Sequence, residues 1–239
     1  MPKSYSLISF ADHLTAVLDI EELRSMSKAL FSIGLTPGWP LSEQPGFSTA
    51  GFRFGNFNLE LCAVDRQYNT LNDWLTFEPT NLEELSDELS GRDIQHDPFD
   101  AVVIKGNPIY TRVDLPSLAQ DDTALQLCHT FYPTRTTGPI APENKAGIKL
   151  VSTIDVGMND ISVETLQSLL APKLIAGCIE FEQGPSLRIS KSSQIKIHGM
   201  TVVTNDPVHA AKVLLETGMQ PINETTVRVG SIEIQLTAD

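Results

Sequence analysis

Cysteine, basic residues and long apolar runs are all scarce in this chain of 239 residues. Its three cysteines, Cys62, Cys128 and Cys178, lie far apart without C-x-x-C spacing, which argues against a disulfide framework and a structural zinc site. No stretch approaches the ~20 apolar residues of a membrane span, and the N-terminus lacks the apolar segment of a signal peptide. We therefore expect a soluble, cytoplasmic protein.

The shortage of basic residues limits the partners. Lys and Arg number 17 against 30 Asp and Glu, which gives a formal net charge of −13. Nucleic-acid binding depends on clustered Lys and Arg, so we expect no nucleic-acid partner, and without an apolar span we expect no membrane partner. Hydrophobic residues make up 41% of the chain, enough for a sizeable core. The expected partner is a small-molecule ligand, and the expected state is a monomer or homodimer.

The chain begins and ends on one repeated pattern. The first copy has Asp12 and His13 on a strand, a helix capped by Asp19, and a hairpin reading F-R-F-G-N-F-N-L-E-L. The last copy has His198 on a strand, a helix capped by Asp206, and a hairpin reading V-R-V-G-S-I-E-I. Side by side, the copies match His13 with His198, Arg53 with Arg228, and Glu60 with Glu233.

Cap residues, turn residues and apolar periodicity divide the chain into four units that each combine a helix with strands. The segment T-P-G-W-P-L-S-E-Q-P-G, with three prolines and two glycines, is predicted to be a loop. Strands in such units bury one face against the helix and turn the other toward a concavity. The units are predicted at 5–65 and 72–134 in an N-terminal pair (1–134), and at 148–192 and 195–239 in a C-terminal pair (148–239), with a linker at 135–147.

This plan resembles the vicinal oxygen chelate superfamily, which includes glyoxalase I, the bleomycin-resistance proteins and the extradiol dioxygenases. It is most similar to the glyoxalase-like domain proteins, on D-H, F-R-F-G and L-E-L in residues 8–65 and on the related pattern in 195–239. The likeness is weak in between. It implies an α/β (α+β) fold of four βαβββ-like modules paired into open barrels, with the first module paired with the last.

The resemblance also implies a divalent metal held by one His or Gln and one Glu from each paired module. Carried to this sequence, the ligands are His13, Glu60, His198 and Glu233, and the internal repeat selects the same four. Two imidazoles and two carboxylates suit Zn, Ni, Co, Mn or Fe. One of the glutamates, Glu60 or Glu233, is then the catalytic base. The expected function is lyase, isomerase or epimerase chemistry on a small, anionic, oxygen-chelating substrate between the first and last modules.

Other readings of the same residues stay open at this point. Arg53 and Arg228 share a face with the two glutamates, so they either bind an anionic substrate or hold the carboxylates, and in the second case no metal is needed. Trp39 is assigned either to the core or to the lip of the substrate pocket. Gln126 or His129 could stand where Glu60 stands. The rival function is metal-free binding or sequestering of a small molecule, as in bleomycin-resistance proteins.

Overall fold

A computed structural model describes residues 5–65, 67, 70–104, 106–131, 144–170 and 177–239. No helix in these ranges is both long enough and apolar enough to cross a membrane. The helices are α1 (Ile20–Ser32), α2 (Leu82–Gly91), α3 (Asp160–Leu170) and α4 (Pro207–Leu215). The strands are β1 (Ile8–Val17), β2 (Pro37–Gln44), β3 (Phe47–Phe54), β4 (Phe57–Val64), β5 (Asp73–Pro79), β6 (Asp100–Ile104), β7 (Asn107–Gln120), β8 (Thr123–Thr130), β9 (Ile148–Met158), β10 (Cys178–Ile179), β11 (Ser186–Lys191), β12 (Lys196–Thr204), β13 (Gln220–Asn223), β14 (Thr226–Val229) and β15 (Ile232–Ala238).

The helices begin where their cap residues predict. The Asp19 carboxylate accepts a hydrogen bond from the Glu22 backbone N–H at 2.8 Å, and the Asp206 carboxylate accepts one from the third residue of α4 at 3.0 Å. Pro207 occupies the first turn, where its missing N–H costs no hydrogen bond. Most of the predicted linker, at 135–143, lies outside the described residues.

The strands form two sheets, ordered β2-β3-β4-β1-β5-β8-β7-β6 and β10-β11-β9-β12-β15-β14-β13. In the first sheet β1 runs parallel to β4 and antiparallel to β5, so the first module shares a sheet with the second. The resemblance implied instead that the first module pairs with the last, and that expectation is wrong. The edge of β1 that a partner module needs is already taken by β5, which pairs with β1 along nearly its whole length.

The segment predicted to be a loop is strand β2, at the edge of the first sheet. Prolines are tolerated on an edge strand because one row of its backbone groups needs no ladder partner. The pairing of β2 with β3 shifts register on both sides of Trp39. Gly51 lies opposite Trp39, and a Cβ at Gly51 would overlap the indole ring. Proline and glycine therefore shape this strand without preventing it.

The faces of the sheets alternate as the sequence predicts. Leu14, Leu59 and Leu75 are fully buried in a hydrophobic cluster that both sheets and all four helices share, whereas neighbouring residues turn to the concave faces. The sheets also meet at two hairpin turns. The Asn56 side chain accepts a hydrogen bond from the Val151 backbone N–H at 2.8 Å, and the turn between β14 and β15 contacts the ends of β1 and β5.

Candidate functional site

His13 and Glu60 meet on the concave face of the first sheet. His13 on β1 pairs with Asn58 on β4, and Thr15 pairs with Glu60, so the sheet register places the imidazole and the carboxylate on one face. The His13 Nε2 atom lies 3.5 Å from Glu60 Oε2. His13 is 8% exposed and Glu60 is 6% exposed. Two predicted ligands are thus brought together in a nearly buried site.

The side chains of His13 and Glu60 are oriented by hydrogen bonds with neighbouring residues. Asp12 Oδ2 lies 2.9 Å from His13 Nδ1, which directs the other ring nitrogen toward Glu60. The Thr15 hydroxyl donates to Glu60 Oε2 at 2.6 Å, and the Thr49 hydroxyl donates to Oε1. Metal ligands and catalytic bases are commonly oriented by such contacts, in which a carboxylate binds the second nitrogen of an imidazole and hydroxyl groups donate hydrogen bonds to a carboxylate.

Trp39 forms one wall of this site. Its ring lies edge-on to the His13 imidazole, with 5.5 Å between the ring centroids, and its Nε1–H donates to Thr49 Oγ1 at 3.1 Å. The indole fits because Gly51 beneath it has no side chain. Its contact with His13 fits the alternative that assigned Trp39 to the lip of a pocket.

The second module places neutral residues in the matching positions. Counted from the turn between β7 and β8, Gln126 holds the place of Glu60, and the pairing of β5 with β8 puts Thr76 and Trp74 where the first module has Thr15 and His13. With its amide oriented to suit its neighbours, Gln126 Oε1 accepts from Thr76 Oγ1 and Trp74 Nε1, both at 3.0 Å. At the positions of His13 and Glu60, the second module therefore has the neutral side chains of Trp74 and Gln126.

His198 and Glu233 lie in the second sheet. His198 is exposed and sits at a register shift in β12, between Ile197 and Gly199. Glu233 on β15 pairs with Gly199 on β12. Its half-exposed carboxylate accepts a hydrogen bond from Arg228 Nη2 at 2.9 Å. Their positions give no support to a ligand set shared with His13 and Glu60.

The strand register also changes the alignment of the first and last sequence patterns. Counted from the hairpin turns, Glu233 corresponds to Asn58, and Glu60 corresponds to Gln235. The match between L-E-L and I-E-I is thus displaced by two residues. A displacement of two keeps each glutamate on the predicted face, because the side-chain period of a strand is two, but moves it about 7 Å along the strand. The face was predictable from the sequence, whereas the position along the strand was not.

The two arginines predicted to bind substrate lie in different places. Arg53 pairs with Asn58 in the row that contains His13. Arg228 is bound to Glu233 and lines an open cavity of about 1040 Å³ between the first and last modules. The walls of that cavity come from the start of α1, the turn between β2 and β3, and the turn between β14 and β15. The described residues that line it include neither His13 nor Glu60.

The residues at His13 fit an open metal centre. Two donor atoms 3.5 Å apart can both bind one ion, since metal bonds to His nitrogen and Glu oxygen are about 2.0–2.2 Å long. Within the described ranges, no group of three or more His, Cys, Asp or Glu side chains could hold a metal. At this point the described residues offer one imidazole and one carboxylate, which are two of the four ligands that the resemblance implied.

The cysteines of the cleft are neutral thiols. Burial, together with the carboxylates of Asp12, Glu60 and Glu78, raises the pKa of the Cys128 thiol to about 12. Burial and then the Glu60 carboxylate also raise the pKa of Cys62. A thiol with a raised pKa is a poor nucleophile and metal ligand at neutral pH, so neither cysteine is a candidate for those roles.

No protein-family model and no curated protein matches this sequence. Solved structures do match its fold. A hypothetical protein from Staphylococcus aureus has a TM-score of 0.62 at 10% identity, covering 96% of this chain and 98% of its own. A halotolerant catechol dioxygenase has a TM-score of 0.54 at 11% identity, covering 98% of this chain and 87% of its own. A mutant 4-hydroxymandelate synthase from Streptomyces coelicolor has a TM-score of 0.56 at 13% identity, covering 100% of this chain and 93% of its own. These likenesses confirm the predicted α/β (α+β) fold of the vicinal oxygen chelate type.

Proposed function

We propose that this protein is a metal-dependent enzyme that acts on a small substrate with two adjacent oxygen atoms, and that its centre is the pair of His13 and Glu60. The observation that carries the proposal is the 3.5 Å separation of His13 Nε2 and Glu60 Oε2 in a nearly buried site. Two of the fold neighbours are described as a catechol dioxygenase and a 4-hydroxymandelate synthase, so the fold supports enzymes.

In this proposal some residues of the site position the ligands and one, Glu60, transfers a proton. A divalent ion bound at this centre would polarise two neighbouring substrate oxygens as a Lewis acid. Asp12 fixes the orientation of the His13 ring, and Thr15 and Thr49 fix the Glu60 carboxylate. Glu60 is the carboxylate placed to accept a proton from substrate carbon. Its burial keeps bulk water away from that transfer.

Metal content and affinity test this proposal directly. Protein purified without chelators is analysed for bound metals, and the metal-free protein is titrated with Co²⁺, Ni²⁺, Zn²⁺, Mn²⁺ and Fe²⁺ by calorimetry. We expect about one ion per chain, and His13→Ala should weaken its binding about 100-fold, as loss of a ligand does. His198→Ala, the same substitution in the second sheet, is the matched control and should bind like wild type.

Two outcomes would contradict the proposal. One is a wild-type chain that binds none of these ions more tightly than about millimolar, and the other is a His13→Ala variant with unchanged affinity. If His198→Ala and His13→Ala weaken metal binding equally, both histidines contribute to one centre, as in the four-ligand set that the resemblance implied. Circular dichroism of each variant confirms that its fold is intact.

A second candidate is a metal-free binding protein of the kind that sequesters small molecules. One observation favours it: both oxygens of Glu60 already accept hydroxyl hydrogen bonds, so the carboxylate is satisfied without an ion. In this case the cleft binds its ligand through shape and hydrogen bonds, with Trp39 as a wall. An intact fold without metal affinity, combined with ligand-dependent quenching of tryptophan fluorescence, would favour this candidate.

A further inference from the structure

Two hydrogen bonds connect Trp39 to Glu60. The Trp39 Nε1–H on β2 donates to Thr49 Oγ1 on β3 at 3.1 Å, and the Thr49 hydroxyl donates to Glu60 Oε1 on β4. The strand register brings these groups together, because Thr49 pairs with Cys62, the next residue after Glu60 on the same face of β4. The contact to Glu60 is therefore supported from three neighbouring strands.

The indole fixes the direction of both hydrogen bonds. An indole N–H can only donate, so Thr49 Oγ1 must accept from Trp39. A threonine hydroxyl has one proton, and that proton is then left for Glu60 Oε1. Without the indole N–H, the hydroxyl could rotate about its C–O bond and lose this direction. Trp39 thus controls a contact of Glu60 through the residue that lies between them.

The two oxygens of the Glu60 carboxylate are held differently. Among the residues that the structure describes, the Thr15 hydroxyl forms one hydrogen bond, which it donates to Glu60 Oε2 at 2.6 Å, so no donor fixes its direction. Oε2 is also the oxygen that lies 3.5 Å from His13 Nε2. The contact through Thr49 therefore anchors Oε1, and Oε2 is the oxygen turned toward His13.

The position of the Trp39 ring depends on Gly51. Gly51 pairs with Trp39 across β2 and β3, and a Cβ at Gly51 would lie 2.5 Å from the ring carbon Cδ2. The same ring lies edge-on to His13, with 5.5 Å between the ring centroids. The backbone of Gly51 and the imidazole of His13 together hold the indole where its N–H reaches Thr49.

We propose that Trp39 is a positioning residue for Glu60, and that it acts through the Thr49 hydroxyl to keep Oε2 of the carboxylate directed toward His13. The proposal rests on the proposed function only for the metal ion that the pair of His13 and Glu60 binds. It requires the indole N–H of Trp39 as well as its ring, which a residue that only forms a wall of the cleft does not.

Metal affinity gives the first test. Trp39→Phe keeps an aromatic ring but removes the N–H, and it should weaken calorimetric binding of the ion that wild type binds most tightly about 10-fold, as loss of a group that orients a ligand does. Thr49→Ser keeps the hydroxyl and should bind like wild type. Trp74→Phe is the matched control, because the Trp74 indole donates to the neutral Gln126, and its affinity should be unchanged.

A double-mutant cycle tests whether Trp39 acts through Thr49. Thr49→Val removes the hydroxyl and should weaken metal binding about 10-fold. Adding Trp39→Phe to this variant should have no further effect, because the hydroxyl that the indole directs is already gone. Gly51→Ala displaces the ring with its added methyl group and should reproduce the loss seen in Trp39→Phe. Circular dichroism confirms that each variant is folded.

Nuclear magnetic resonance of the metal-free protein tests the same contacts without a metal. The chain contains two tryptophans, so isotope-labelled indole groups give two N–H signals. Thr49→Val should move the Trp39 signal upfield, because the N–H loses its acceptor, and should leave the Trp74 signal in place. Glu60→Gln should also move the Trp39 signal, since the hydroxyl between the two groups transmits the change in charge.

The proposal is overturned if Trp39→Phe keeps the wild-type metal affinity, if its loss adds to that of Thr49→Val, or if the Trp39 signal ignores Glu60→Gln. Each of these results, together with metal binding that depends on His13, rejects only the role of Trp39. A wild-type protein that binds no metal, but whose Trp39 signal responds to both substitutions, rejects only the metal centre and keeps Trp39 as the positioning residue of Glu60.

Discussion

On the concave face of the first sheet, the residue paired across the parallel strands with Asn58 is His13, whereas on the second sheet the residue paired with Glu233 is Gly199. Two residues further along each strand, the first sheet has Glu60 and the second sheet has Gln235. Both sheets contain the order strand, helix, three strands, but within the described ranges a buried imidazole and carboxylate lie together only in the first sheet. The two sheets therefore share a fold, and under the proposed function two positions on the inner face decide which of them could hold a metal.

In the second sheet, the backbone also leaves no room for a side chain at the position that corresponds to His13. A Cβ at Gly199 would overlap the backbone carbonyl oxygen of Glu233, and Gly199 has a φ of +154°. The two strands approach too closely at this point for any side chain, so a histidine could not stand there without a backbone shift. Glu233 is held instead by Arg228, in a partly exposed pair.

The largest expected effect concerns that close approach. Gly199→Ala should destabilise the protein by about 3 kcal/mol, because the added methyl group forces the β12 and β15 backbones apart at a strained φ. Urea unfolding measures the change. Gly91→Ala is the control, since nothing lies within 4 Å of a Cβ there, and it should be neutral or slightly stabilising. A Gly199→Ala variant within about 1 kcal/mol of wild type would show that the second sheet tolerates a side chain.

The next effect compares the two glutamates. Glu60→Gln should lower metal affinity about 100-fold, because it removes a charged ligand, whereas Glu233→Gln should leave it unchanged. Calorimetric titration with the ion that wild type binds most tightly measures both. Equal losses in the two variants would mean that the sheets contribute to one centre, as the resemblance first implied.

A smaller effect concerns the hydroxyls behind the carboxylate. Thr15 pairs with Glu60, and Thr201 pairs with Gln235 in the second sheet, so the two threonines form a matched pair. Thr15→Val keeps the shape of a fully buried side chain but removes the hydrogen bond to Glu60, and it should lower metal affinity about 10-fold. Thr201→Val should have no effect. An unchanged affinity in Thr15→Val would show that Glu60 is oriented without this hydroxyl.

The smallest expected effect concerns the contact between the sheets. Ser231 donates a hydrogen bond to Asp73 at 2.5 Å, and burial raises the pKa of Asp73, although the Ser231 and Thr123 hydrogen bonds oppose this. A carboxyl group with a raised folded-state pKa stabilises the fold fully below its unfolded pKa of about 3.9, and that stabilisation is lost as the pH rises through the folded-state pKa.

Replacing this carboxyl group should therefore change how stability depends on pH. The stability of Asp73→Asn relative to wild type should rise between pH 4 and pH 7, by less than about 1 kcal/mol, as measured by thermal unfolding at both values. Glu224→Gln, which removes a carboxylate from an exposed turn in the second sheet, is the control. A difference between Asp73→Asn and wild type that is the same at both pH values would mean that the contact is not linked to this proton.

Much of the site was predictable from short segments. The D-H pair on β1 and L-E-L on β4 identified His13 and Glu60, because alternation along a strand assigns each residue to a face. Gln126 was recognised as one alternative to a second glutamate. The Thr49 hydroxyl was missed, since it reaches Glu60 from a neighbouring strand and no local pattern marks it.

By itself the sequence determined where helices begin and which strand residues face the core, because caps, turns and a period of two act between near neighbours in the chain. Tertiary structure alone decided that β1 pairs with β5, which separates His198 and Glu233 from the first sheet. Strand edges present the same backbone donors and acceptors whatever their sequence, so the choice of partner depends on how whole modules pack.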